Sequence, residues 1–341
     1  PFLGHQTAYN PISRWAKPST MATVTPAQNG PFSYASFNKL WGFTTLEAMT
    51  DLENAESARP DAASAWREWH AEREANLATE HGWLSLISFE WLSEERTRIA
   101  NFPGRWYTDG TLAAATFRSG TSSSSESDVV YKDGAPFAGE AVFRLEDGDS
   151  DTSYSSGTRV AEVAVRGGRY CVRVRDSSAP TLLAFTGVPT YPYDPNAVVD
   201  ATFEMFNEPV VVMGETARKG VLTTYNLVGD IVFVYDGVEC RLAVTGDPYE
   251  EMQAIFYDLT NGTETADWRA VRFPGPQSEI GTDNFRIDFN RSTNFPAAFT
   301  PFGTCPKPVK GNTLDVAVRA GEKRPAQWIR PEADLWMDEE R

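Results

Sequence analysis

Between Asp288 and Lys323 the chain interleaves unlike polar groups with aromatics. The run Asp288-Phe289-Asn290-Arg291-Ser292-Thr293-Asn294 is followed by Cys305-Pro306 and then by Ala320-Gly321-Glu322-Lys323. Such mixtures rarely serve packing alone and suit a small-molecule site. By residue type, Asp288 or Glu322 would accept a proton, and Arg291 or Arg73 would hold a substrate carboxylate in a planar fork. Asn290 with Asn294 would position the ligand through hydrogen bonds. Tyr191 and Tyr193 lie in a run stiffened by Pro189, Pro192 and Pro195, which can wall a cleft or equally well cover the open end of a barrel.

Strand alternation through residues 288–291 places Asp288 and Asn290 on one face and Phe289 and Arg291 on the other. Two oxygen donors are too few for calcium or magnesium, and His5, His70 and His81 show no zinc or iron spacing, so no metal and no cofactor is expected. The patterns GxSxG, GxxxxGK[ST] and GxGxxG are absent, which removes the commonest hydrolase and nucleotide signatures. Cys305 alone reads more readily as a small buried residue than as a nucleophile.

Elements must position these groups. Asp61 after Pro60 opens a helix from Ala62 to about Glu80, with Ala62, Trp66, Trp69 and Leu77 on one side. Arg73 falls inside that apolar stripe, so it requires a carboxylate on the β domain or a bound anion. An earlier helix is expected from Thr44 or Thr45 to Ser57. The apolar run Trp83–Leu92 suits a buried helix or a strand. Beyond Pro103, β-branched runs alternate with Gly, Asp, Pro and Ser turns. Val163 and Val165 face Tyr170, Val172 and Val174 across Gly167-Gly168, and Ile231–Tyr235 returns through Asp236-Gly237 into Val238–Leu242. Further strands are expected at 106–117, 141–145, 222–226, 252–257, 270–273, 285–289 and 314–320, with Ser122–Ser125 as a hairpin tip.

The fold expected is mainly β: a single antiparallel β-barrel or β-sandwich domain with an N-terminal helical segment packed against it. Residues 1–40 read as an extended arm, of which 1–20 would be an upstream extension, leader or remnant. Residues 41–100 are helical, 101–330 form the β-rich part of the same unit, and 331–341 form a tail.

The 341 residues carry 47 acids against 31 bases, a formal charge of −16, which disfavours nucleic acid and anionic membranes as partners. No apolar run is long enough for a membrane span. Cys171, Cys240 and Cys305 show no metal spacing and leave an odd thiol, which points to a reducing, cytoplasmic setting. Oligomeric state is not legible.

Taken in order, Trp69 with Arg73 and Leu77, Gly82-Trp83-Leu84-Ser85-Leu86, Arg173-Val174-Arg175-Asp176, Phe185-Thr186-Gly187, Pro192-Tyr193-Asp194-Pro195, Asp288-Phe289-Asn290-Arg291, Cys305-Pro306 and Ala320-Gly321-Glu322-Lys323 resemble an uncharacterised family, domain of unknown function 1684, over roughly residues 60–325. The resemblance implies a small soluble prokaryotic protein and brings no established activity. A second cysteine that often follows the family's Asn-Pro-Pro element is replaced here by Asn294-Phe295-Pro296-Ala297.

Two functions follow from these residues. One is an enzyme doing acid–base chemistry of hydrolase or lyase type on a small organic substrate, with carboxylates among the candidates, in a barrel or sandwich pocket. The other is a non-catalytic binder of a small molecule or partner chain. They stand nearly level, the enzyme slightly ahead.

Overall fold

The computed structural model describes residues 61–118, 129–278 and 285–325. The expected arm, the helix at 44–57, the tip at Ser122–Ser125 and the tail lie outside those residues. The chain forms two compact units, 1–68 and 69–341, and the described strands all belong to the second. Among the described residues no helix is long and apolar enough to cross a membrane.

Helix α1 spans Ala62–Leu77. Asp61 starts it by accepting from the Ser64 amide and hydroxyl, each at 2.9 Å, which satisfies a backbone donor that the first turn leaves without a partner. Its stripe is shorter than spacing suggests: Trp66 and Leu77 are buried, Trp69 and Arg73 half-buried, and Ala62 is exposed.

Among the described residues sixteen strands follow, and every paired strand is antiparallel to its neighbours. In the first region, β1 (Leu86–Trp91), β9 (Arg169–Asp176), β8 (Arg159–Arg166), β7 (Ser150–Ser156), β4 (Val130–Lys132) and β5 (Ala135–Phe137) make one sheet in that order. A second sheet runs β2 (Arg105–Thr108), β3 (Ala113–Phe117), β6 (Gly139–Phe143). Their inner faces share one core in which Trp106, Phe117, Phe143 and Tyr154 meet ring to ring. The arrangement is sandwich-like. No closed barrel forms among the described residues.

The second region is a seven-stranded sheet in the order β15 (Arg286–Asp288), β10 (Val198–Glu215), β11 (Leu222–Tyr235), β12 (Val238–Gly246), β13 (Glu251–Phe256), β14 (Arg269–Pro274), β16 (Thr293–Asn294). It has its own core, built on Ile231, Leu242, Phe256 and Phe289.

Both expected hairpins form. Gly167 and Gly168 take φ of 58° and 71°, and Asp236 and Gly237 take 51° and 78°, the left-handed pair that a two-residue turn between twisted strands needs. The run Trp83–Leu92 resolves to a 3-10 turn, Trp83–Ser85, and strand β1, so the segment expected to be helical over 41–100 contains a strand; residues 106–117 resolve to two strands with a turn between them. Two strand expectations fail. Residues 314–320 alternate as a strand would, with Leu314, Val316, Val318 and Ala320 buried, yet they join no ladder. At Asp288 the chain leaves β15 for a 3-10 turn, Phe289–Arg291, so Asp288 and Asn290 do not share a strand face.

Candidate functional site

Gly321 brings Glu322 into place. With φ of 78° and a hypothetical Cβ only 2.5 Å from the Ser292 carbonyl, no other residue lets the chain pass there without strain. The Glu322 amide then donates to Ser292 O at 2.9 Å. Its carboxylate is 1% exposed and has both oxygens occupied: Oε1 accepts from Arg73 Nε at 3.1 Å and Oε2 from the Asn294 amide at 2.6 Å. Arg73 Nη2 donates to Asn294 O at 2.9 Å, and Asn294 Nδ2 to Lys323 O at 2.8 Å. The carboxylate that Arg73 required is therefore Glu322, drawn from the far end of the chain.

Tyr191 joins the same seam. Its amide donates to Gly321 O, its ring lies 4.9 Å from Lys323 Nζ, and its hydroxyl donates to Glu264 Oε2 at 2.9 Å. Burial, and then the bond to Glu264, push the Tyr191 hydroxyl up to about 12. Asp288, Asn290 and Arg291 form a second knot beside it. Asp288 Oδ1 accepts from the Asn290 amide at 3.0 Å and from Nδ2 at 2.9 Å, capping the turn. Asn290 clasps the backbone of Asp194 with both ends of its amide, at 2.9 and 2.8 Å. Arg291 is 40% exposed, 3.6 Å from Asp288 Oδ2, with its guanidinium carbon 5.3 Å over the Trp69 ring. Tyr193 is half-buried. A cleft of about 380 Å³ lined by Leu86, Asp176, Ser178, Thr181, Thr300 and Phe302 contains none of these residues.

A further cluster went unread in the sequence. On the β8–β9 hairpin, Val163, Val165, Val172 and Val174 face the core, so alternation turns Glu162, Arg166, Cys171, Arg173 and Arg175 to the other face. Glu162 binds Arg173 Nη2 through Oε1, and its Oε2 accepts from Arg175 Nε at 2.9 Å and Nη2 at 2.6 Å. Arg175 Nη1 also donates to the carbonyls of His81 and Gly82. Arg166 donates to Asp149 O, Val165 O and Ser150 Oγ, each at 2.7 Å. Trp83 lies 5.2 Å from the Arg173 guanidinium carbon and 5.1 Å from that of Arg175. Arg218 sits 3.8 Å over Phe89 and donates to Pro301 O at 3.2 Å.

Burial alone would raise the Glu162 carboxyl, but Arg173 and Arg175 pull it down to about 2. Burial pushes the thiols of Cys171 and Cys305 up to about 11, against a reactive thiolate at either. The alternation that revealed the hairpin also implied this charged face. Its significance was hidden because sequence does not show what covers the second side of a sheet.

The seam of Tyr191, Asn294 and Glu322 lies within a segment that comparison with known families recognises. Residues 183–323 match the family described as Protein of unknown function (DUF1684). The matched segment is the C-terminal part of the expected span and takes in β10–β16, whereas the arginine cluster of β8–β9 lies before it. A solution NMR structure of an uncharacterized protein from Haloarcula marismortui is 28% identical, covers 41% of this chain and 77% of its own, and has a TM-score of 0.35. No curated protein matches.

Proposed function

We propose that this chain binds a small organic carboxylate on the seam between α1 and residues 288–294, in the cytoplasm, and holds it without proton transfer. One observation carries the reading: Arg291 keeps a 40% exposed guanidinium against Trp69, while both acids offered as proton acceptors are already engaged. A general base needs an oxygen directed at substrate. Glu322 spends both of its oxygens on Arg73 and Asn294, and Asp288 closes its own turn. An arginine braced on an aromatic ring presents its fork to a carboxylate at reduced entropic cost. The three unpaired thiols support the reducing compartment.

The test is a library of organic acids followed by thermal shift and by chromatographic loss of the compound. A ligand at about 100 times its Kd stabilises the fold by about 2.7 kcal/mol. We expect such a shift without consumption, and expect Arg291→Gln to remove it while the unliganded Tm stays put. Turnover of the ligand would replace this reading with the acid–base enzyme. A shift that survives in Arg291→Gln would move the ligand elsewhere.

A further inference from the structure

The cleft of about 380 Å³ opens between the start of β1, the end of β9 and the loop at residues 300–302. Its volume is within the range that small-molecule sites occupy. Leu86 and Phe302 are buried in its lining and Ile87 is half-buried, so part of the surface is apolar. Asp176 is the one ionisable side chain in the lining, and its oxygens are spent. Oδ1 accepts from the Ser178 amide at 2.9 Å and hydroxyl at 2.6 Å, and Oδ2 from Arg159 Nε at 3.0 Å. Burial alone would raise this carboxyl, but the bonds from Ser178 and Arg159 hold it at about 2, so it stays an ion neutralised by Arg159. Three uncharged groups of the lining keep hydrogen-bonding capacity among the described residues. The Asn101 carboxamide and the Thr181 hydroxyl make no hydrogen bond there, and the buried Thr300 hydroxyl accepts from the Phe302 amide at 3.3 Å while its own proton meets no acceptor.

We propose that this cleft is a second binding site, separate from the seam, for an uncharged organic molecule with an apolar body and a carboxamide edge. A charged ligand would give up its water for a lining whose single carboxylate is already neutralised, and would meet no counter-charge. A carboxamide carries a C=O and an N–H on one edge, which matches side chains that each donate and accept. The apolar body would bury against Leu86, Ile87 and Phe302. The lining is braced before any ligand arrives, which lowers the ordering cost of binding. Arg159 ties Asp176 to Asn101, donating from Nη1 to the Asn101 carbonyl at 3.0 Å, and Arg218 holds the Pro301 carbonyl at 3.2 Å.

Isothermal titration of the full chain with benzamide tests the proposal. One saturable site is expected. Excess benzoate or benzylammonium, which carry the same ring on a charged group, should change the benzamide Kd by less than about twofold. Benzoate seated on the seam does not disturb this comparison, because displacement of benzamide is what is read. Thr181→Val removes one hydroxyl from the short helix Pro180–Leu183 and should weaken benzamide at least about threefold, the worth of one hydrogen bond. Thr181→Trp puts a large ring at the cleft and should weaken it at least about tenfold with the unliganded circular dichroism unchanged. Arg291→Gln should leave the benzamide Kd within about twofold, so the cleft and the seam stand or fall separately. No saturable heat, displacement by either charged ring, wild-type affinity in either Thr181 variant, or loss in Arg291→Gln would each overturn the site.

Discussion

Each β region buries an arginine against an acid, and the two do it differently. In the second region Arg269 and Asp258, both with fully buried side chains, pair one to one at 2.5 Å. The rest of the Arg269 guanidinium donates to the carbonyls of Val318, Ala320 and Glu322, leaving Nε alone without an acceptor. In the first region one acid, Glu162, serves Arg173 and Arg175 together, and Arg173 makes a single bond. A buried guanidinium whose donors are spent on backbone carbonyls fastens a chain segment in place. Arg173, whose Nε and Nη1 meet no acceptor among the described residues, fastens nothing through those two nitrogens.

The sharpest way to break this contrast is to remove the balanced arginine. Arg269→Met strands Asp258 in the core and frees three carbonyls, so we expect about 3–5 kcal/mol lost in urea unfolding. A loss under about 1 kcal/mol would mean that the pair does not fasten residues 318–322.

The unbalanced cluster is probed by acid. Because the folded Glu162 carboxyl is held at about 2 against an ordinary 4.5, it contributes about 3 kcal/mol that is present above pH 4.5 and is lost as the pH falls toward 2. Unfolding curves across that window should be steeper in pH for wild type than for Glu162→Gln. Parallel pH profiles would show that Glu162 is not charged in the folded cluster.

The smallest effect is expected where the pair reaches the surface. Arg73 is 23% exposed and Glu322 1%, so Arg73→Met leaves a buried carboxylate with the Asn294 amide as its remaining donor, at a cost of about 2 kcal/mol. Carboxylate binding on the seam, which the proposed function assigns to Arg291, should persist in this variant. If stability is unchanged and binding disappears instead, the roles of the two arginines are reversed.

Local chemistry made part of this molecule legible from sequence. Gly167-Gly168 and Asp236-Gly237 announce their hairpins because left-handed backbone at both turn positions is set by the turn residues themselves. Asp61 announces the start of α1 through its cap, and Arg73, misplaced in an apolar stripe, announces a distant acid without naming it. The identity of Glu322 as that acid depends on a contact 249 residues away, which no spacing encodes.

The remainder was decided by the tertiary structure. Residues 314–320 have a strand's alternation but no ladder, because alternation reports which side faces the core and not who supplies the hydrogen bonds, and here the carbonyls of Val318 and Ala320 go to Arg269. Asp288-Phe289-Asn290-Arg291 reads as a strand until Asp288 caps a turn that Asn290 locks onto the backbone of Asp194. The sharing of Glu162 by Arg173 and Arg175 beside Trp83 exists only when β8, β9 and Trp83 are brought together, since alternation tells which residues share a sheet face and not which acid meets which arginine.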